Sequence, residues 1–120
     1  MKTALLIVDH GSKRTEANAM LEEVAAILRA KRPDLIVHIA HMELAEPSIA
    51  QGFANCVKDG AVEVVVHPYM LSPGRHAAKD IPVMASEAAK QHPGVKWRCT
   101  KPLGLHEKIG DVVLERAGLV

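Results

Sequence analysis

The chain has 120 residues, 48% of them hydrophobic, with fifteen Lys and Arg against fourteen Asp and Glu, a formal charge of +1. Residues 1–120 fit one compact domain able to bury roughly two-thirds of its unfolded surface without staples. The balanced charge offers no basic field for nucleic acid or an anionic membrane, and with one Trp, one Tyr and one Phe a base-stacking platform is excluded.

The remaining composition narrows the class further. Cys56 and Cys99 lie far apart with no CxxC spacing, so neither a zinc knuckle nor a redox pair is indicated, and both read as small core residues. No apolar stretch approaches the ~20 residues of a membrane span. Asp9 and His10 interrupt the first apolar run too early for a signal peptide. A reducing, cytoplasmic setting is expected.

The first element is Ala4–Val8, five apolar residues running into Asp9, His10, Gly11 and Ser12. A short apolar run ended by a Gly predicts a strand covered on both faces. Thr15–Arg32 carries apolar residues at three- and four-residue steps, a helix that Thr15 can cap and Pro33 ends. Leu35–Met42 predicts the second strand, and Glu43–Pro47 its exit loop. Pro47 suits the first turn of the next helix, whose inner face holds Ile49, Phe53, Cys56 and Val57 until Gly60 closes it.

Val62–Val66 is the third strand, stopped at His67-Pro68. Tyr69–Lys79 reads as a loop rich in polar residues. Asp80 caps a third helix with Pro82 in its first turn and Ile81, Met84, Ala85 and Ala88 inward. Val95–Cys99 is a more polar strand suited to an edge. Leu105–Ala117 closes the chain as a helix with Leu105, Ile109, Val112 and Val113 on one stripe. This alternation predicts an α/β open three-layer sandwich, a four-stranded parallel sheet with helices on both faces.

Parallel strands bring the loops after the first three strands to one edge, where open α/β sheets keep their ligand sites. His10, His41, Glu43, Glu46, His67 and His76 gather there, together with Asp9, Lys13, Arg14, Arg75 and Lys79. Imidazole and carboxylate together suit Fe²⁺, Co²⁺ or Ni²⁺, and thiolates, the usual ligands of structural zinc, are missing from these loops. Neutral imidazole, of reference pKa ~6.5, also accepts protons near neutral pH. Gly11 and Gly74 let backbone approach a flat ligand closely. His38 reads as a core or helix-facing histidine with a hydrogen bond, His67 as structural, and Glu46 as a complement to the following helix N-terminus. There is no GxGxxG and no GxxxxGK[ST], so nucleotide binding has no support. In DHG, Asp9 stands where a phosphohistidine hydrolase needs arginine.

The segments VDHGSKRTEAN, HMELAEPSI, PYMLSPGRHAAKDIP and KPLGLHEKIGDVVLER resemble, in order and spacing, the small sirohydrochlorin chelatases, class II enzymes that insert a metal into a tetrapyrrole. The resemblance runs from about Leu5 to Arg116. It implies the same open α/β sheet, with His10 and His76 as active-site histidines and Glu43 as the accompanying acid, together the metal set; Glu46 is the weaker candidate. Ser12, Lys13, Arg14, Gly74, Arg75 and Lys79 then contact the substrate, the cations facing the carboxylates of sirohydrochlorin. It implies no permanently bound cofactor, with Fe²⁺, Co²⁺ or Ni²⁺ as substrate. Longer relatives contain two such halves, so a homodimer framing a cleft is implied. Which histidine holds metal and which takes protons stays open. A non-catalytic metal or tetrapyrrole carrier using the same edge is the competing reading, and a single-domain remnant that needs a partner chain is a third.

Overall fold

Alternation sets the two faces of the central strand. In β1, Lys2–Asp9, Ala4, Leu6 and Val8 pack to one side of the sheet and Leu5 and Ile7 to the other, the two-residue period of a strand covered on both faces. The structure, a computed structural model, describes residues 2–120. Within them follow α1 (Thr15–Lys31), β2 (Ile36–His41), α2 (Ile49–Lys58), β3 (Ala61–Pro68), α3 (Gly74–Ala89), β4 (Lys96–Cys99) and α4 (Glu107–Ala117). The strands pair in parallel in the order β2-β1-β3-β4. The α/β class and the edge position of β4 agree with the sequence reading.

Two apolar layers hold the sheet. On one face α2 and α3 bring Phe53, Cys56, Ile81 and Ala85 against Leu6, Val8, Val64 and Val66. On the other, α1 sets Leu21 and Ala25 against Ile7 and Val37. A Cβ on Gly52 would lie 2.8 Å from the Ile39 carbonyl oxygen and from Leu6 Cδ1, so only glycine lets α2 approach this closely. Phe53, fully buried, stacks on the His92 ring with centroids 5.6 Å apart. Burial pushes the Cys56 thiol up to about 12 and raises Cys99 as well, so both behave as core groups. Arg29 reaches from α1 to the edge strand, where its Nη2 and Nε donate to the Val37 carbonyl at 2.7 and 3.2 Å.

Three local expectations are corrected. The cap of α2 is Ser48, not a first turn begun by Pro47: Ser48 Oγ accepts from the Gln51 N–H at 3.1 Å and Gln51 Oε1 accepts from the Ser48 N–H at 2.8 Å. This is a reciprocal capping box. α3 begins at Gly74, so Asp80 is not its cap and Pro82 lies inside it. The buried stripe Ala77, Ile81, Ala85 and Ala88 runs at helical spacing straight through Pro82. Its burial outweighs the one hydrogen bond that the proline ring denies to the Ala78 carbonyl. The third concerns α4, none of whose residues is buried; Val113 is 59% exposed. The connection after β4 is tied to Met70 by the Gly104 N–H at 3.4 Å, and α4 leaves the sheet there with no more than marginal contact to other elements.

Phe53→Ala removes the largest fully buried side chain, so urea unfolding is expected to show a loss of about 3–5 kcal/mol. A loss under 1 kcal/mol would mean that the α2 layer is not packed as described.

Candidate active site

The carboxyl edge is built first by the exit of β1. Asp9 Oδ1 accepts from the Gly11 N–H at 3.0 Å, turning the chain directly behind His10. Asn18, in the first turns of α1, clamps the backbone of Ser12: its Nδ2 donates to the Ser12 carbonyl at 2.7 Å and its Oδ1 accepts from the Ser12 N–H at 3.0 Å. Ser12 Oγ in turn accepts from the Arg14 N–H at 3.0 Å. Thr15 is therefore not the cap of α1; Arg14 holds the cap position without a side-chain bond, and Ser12 and Asn18 order the turn instead.

The exit of β2 runs alongside. Asp9 and His41 are register partners in the β1–β2 ladder, and His41 Nδ1 bonds Asp9 Oδ1 at 2.6 Å. The ladder continues past both strands, with the Met42 N–H donating to the Asp9 carbonyl at 2.9 Å and the Glu43 N–H to the His10 carbonyl at 3.1 Å. The contact is so close that a Cβ on Gly11, at φ +86°, would lie 1.8 Å from the Glu43 carbonyl oxygen. Gly11 thus serves the approach of a neighbouring loop rather than of a ligand. Leu44 follows at φ +68°, a left-handed conformation that costs a branched residue about 1–2 kcal/mol.

His10, Glu43 and His76 are all exposed, the first two joined through their backbones and the third in the opening turn of α3 on the same edge. Lys13, Arg14, Arg75 and Lys79 are exposed too, and none of them takes part in an ion pair among the described residues. Gly74 takes φ +73° with open space beside it. The other candidates have structural partners. His41 is 1% exposed beneath the edge. Glu46 Oε2 accepts from Gln51 Nε2 at 3.1 Å in the first turn of α2. His38 Nε2 meets Asp59 Oδ2 at 2.7 Å. His67 Nδ1 bonds Thr100 Oγ1 at 2.8 Å, and Thr100 Oγ1 donates to the Lys101 carbonyl at 2.9 Å. That onward donation makes Thr100 the acceptor and His67 Nδ1 the protonated nitrogen. Burial lowers the His67 pKa.

Among the described residues, no three His, Cys, Asp or Glu side chains form a group that could hold a metal ion. An apolar groove of about 470 Å³ between α2 and α3 is walled by Met42, Ile49, Val83, Met84 and Ala88 and includes neither histidine nor Glu43. The edge therefore carries His10, Glu43 and His76 as exposed side chains that do not form one cluster, beside exposed cations that take part in no ion pair among the described residues. Sequence reasoning does not single out Asp9, His41 and Asn18 as its supports. Their signal is the polar pair DH ending one strand opposite the histidine ending the next.

A family model described as CbiX matches residues 4–118. The chloroplastic sirohydrochlorin ferrochelatase of Arabidopsis thaliana is 50% identical over 112 residues, 93% of this chain and 50% of that protein. The sirohydrochlorin cobaltochelatase of Methanococcus maripaludis is 31% identical over 139 residues, 95% of this chain and 96% of that protein. Among solved structures, the sirohydrochlorin chelatase SirB from Bacillus subtilis subspecies spizizenii in complex with cobalt superposes with a TM-score of 0.88 at 34% identity, covering 98% of this chain and 50% of that one. The chain spans about half the length of the first curated relatives it matches.

Gly11→Ala meets both the left-handed φ and the Glu43 carbonyl, and is expected to cost more than about 1 kcal/mol in urea unfolding; an unchanged midpoint would refute the close approach. For His67 the folded state binds fewer protons than the unfolded state, so stability falls as pH drops below the ordinary histidine value of about 6.5. Urea midpoints of the parent and His67→Asn at pH 7.5 and pH 5 should show the smaller acid loss in the variant.

Proposed function

The chain belongs to the CbiX family, and from that premise we propose that it is a sirohydrochlorin chelatase, inserting Fe²⁺ or Co²⁺ into the macrocycle with loss of two pyrrole protons. The observation that carries the reading is the backbone pairing of the His10 and Glu43 loops on the edge that also bears His76. It is supported by relatives named as ferrochelatase and cobaltochelatase and by a neighbour solved with cobalt.

The chemistry asked of these side chains is modest and matches their types. Two pyrrole N–H bonds break as metal–nitrogen bonds form, and the two protons pass to bases and on to water. His10 and His76 divide metal delivery and proton uptake, since neutral imidazole does both near pH 7. The Glu43 carboxylate displaces water from the incoming ion. Lys13, Arg14, Arg75 and Lys79 pair with substrate carboxylates by charge-assisted hydrogen bonds, with Ser12 and Gly74 alongside the macrocycle. The metal is a substrate and leaves with the product, so no resident cofactor is required.

The functional unit in this proposal is a homodimer. An open edge excludes little water by itself, and a second copy supplies the opposing wall that strengthens every charge interaction inside. The exposed apolar side of α4 supports the pairing. No helix among the described residues is long and apolar enough to cross a membrane. The setting proposed is the cytoplasm, whose reducing conditions keep Cys56 and Cys99 as thiols.

Anaerobic mixing of the protein with sirohydrochlorin and Fe²⁺, Co²⁺ or Ni²⁺, followed by visible absorbance, tests the activity. Insertion faster than the spontaneous rate is expected, and His10→Ala or His76→Ala should each lower it by at least about a hundredfold. A rate no faster than spontaneous for every metal would leave a carrier that binds at the same edge. Arg75→Ala should raise KM for the macrocycle with little change in kcat. Sedimentation of an active monomer would overturn the dimer.

A further inference from the structure

Asp9 and His41 form a unit that the reaction itself does not call for. One carboxylate oxygen, Asp9 Oδ1, receives both the His41 Nδ1–H at 2.6 Å and the Gly11 N–H at 3.0 Å. A carboxylate only accepts, so the ring proton sits on Nδ1 and the ring orientation is fixed. His41 is 1% exposed, while the Asp9 side chain is 24% exposed. The imidazole is therefore packed into the interior and cannot swing, and it holds the carboxylate from below.

The backbone around the pair carries that fixity outward. His41 donates its own N–H to the Pro47 carbonyl at 2.8 Å, closing the Glu43 loop at its far end. The Asp9 carbonyl accepts from Met42 and the His10 carbonyl from Glu43, at 2.9 and 3.1 Å. Gly11, whose N–H is held by Asp9, lies against the Glu43 carbonyl. Every backbone link between the His10 and Glu43 loops thus lies within two residues of the Asp9–His41 bond.

We propose that Asp9 and His41 are positioning residues: through Gly11 they fix the spacing of His10 and Glu43, so that the two side chains meet the incoming metal as one preset pair. Such supports behind a metal-handling group typically hold affinity by their geometry. The inference rests on the chelatase reading for its purpose, but its physical content, the locked spacing, can be measured without turnover.

Asp9→Asn keeps an acceptor for both donors; Asp9→Ala keeps neither. With Co²⁺ alone as the probe, calorimetry should show affinity reduced about ten- to a hundredfold in Asp9→Ala and restored to near the parent value in Asp9→Asn. Amide hydrogen exchange should be faster at Gly11 and Glu43 in Asp9→Ala, unchanged there in Asp9→Asn, and unchanged in both at the core amides of Val8 and Val66. His41→Phe keeps ring volume without the donor, and should lower Co²⁺ affinity as Asp9→Ala does should the latter fail to fold. Slow exchange at Glu43 in a folded Asp9→Ala, or an Asp9→Asn as weak as Asp9→Ala, overturns the proposal. A parent protein with no Co²⁺ affinity and no insertion sinks the chelatase reading and, with it, the metal-handling purpose of the lock, whereas the exchange pattern reports the locked spacing alone.

Discussion

A methyl group on Gly11 would stand 1.8 Å from a carbonyl oxygen of the adjacent loop, far inside any tolerable contact. The exits of β1 and β2 are therefore fused rather than neighbouring, and the rest of the edge depends on this. Parallel strands normally part company where their ladder ends, each loop turning away to begin its helix. Here the ladder runs on through Asp9–Met42 and His10–Glu43. The Asn18 clamp on Ser12 and the Ser48–Gln51 box then stop the two loops from peeling apart at the helix side.

The order β2-β1-β3-β4 explains which loops come together. The chain leaves β1 for one side of the sheet and later returns to its other side, so the exits of β1 and β3 flank the point where strand order reverses. α3 starts from the β3 exit and carries Arg75, His76 and Lys79 in its first turns. One rigid pair of loops and one helix start thus bound the edge. Lys13, Arg14, Arg75 and Lys79 are exposed on it and take part in no ion pair among the described residues.

Much of this was legible in the residues because β1, β2 and β3 are short apolar runs that can serve only as buried strands, and helical spacing marked α1 and α2 directly. The misreadings came where a strong local signal competed with burial. Pro82 prefers a first turn, yet the Ala77-to-Ala88 stripe is long enough to carry the helix across it. Pro47 favours a first helical turn, yet Ser48 is the cap, and its Ser-x-x-Gln pattern is present in the sequence. The Asp9–His41 pair was hidden for another reason. It needs the β1–β2 register, a long-range quantity that periodicity within either strand does not contain.

The free-standing α4 has a thermodynamic consequence. Val112, Val113 and Leu114 present apolar area to water in the isolated chain, so this helix adds little to the fold that holds β1 to β3. Any surface that covers it contributes a free energy that scales with the area removed from water. By mass action that contribution adds directly to resistance to unfolding. The stability of the dilute, unaccompanied chain is thus a floor. It rises with concentration wherever α4 finds cover, and amide exchange along Glu107–Ala117 registers that rise before any core amide does.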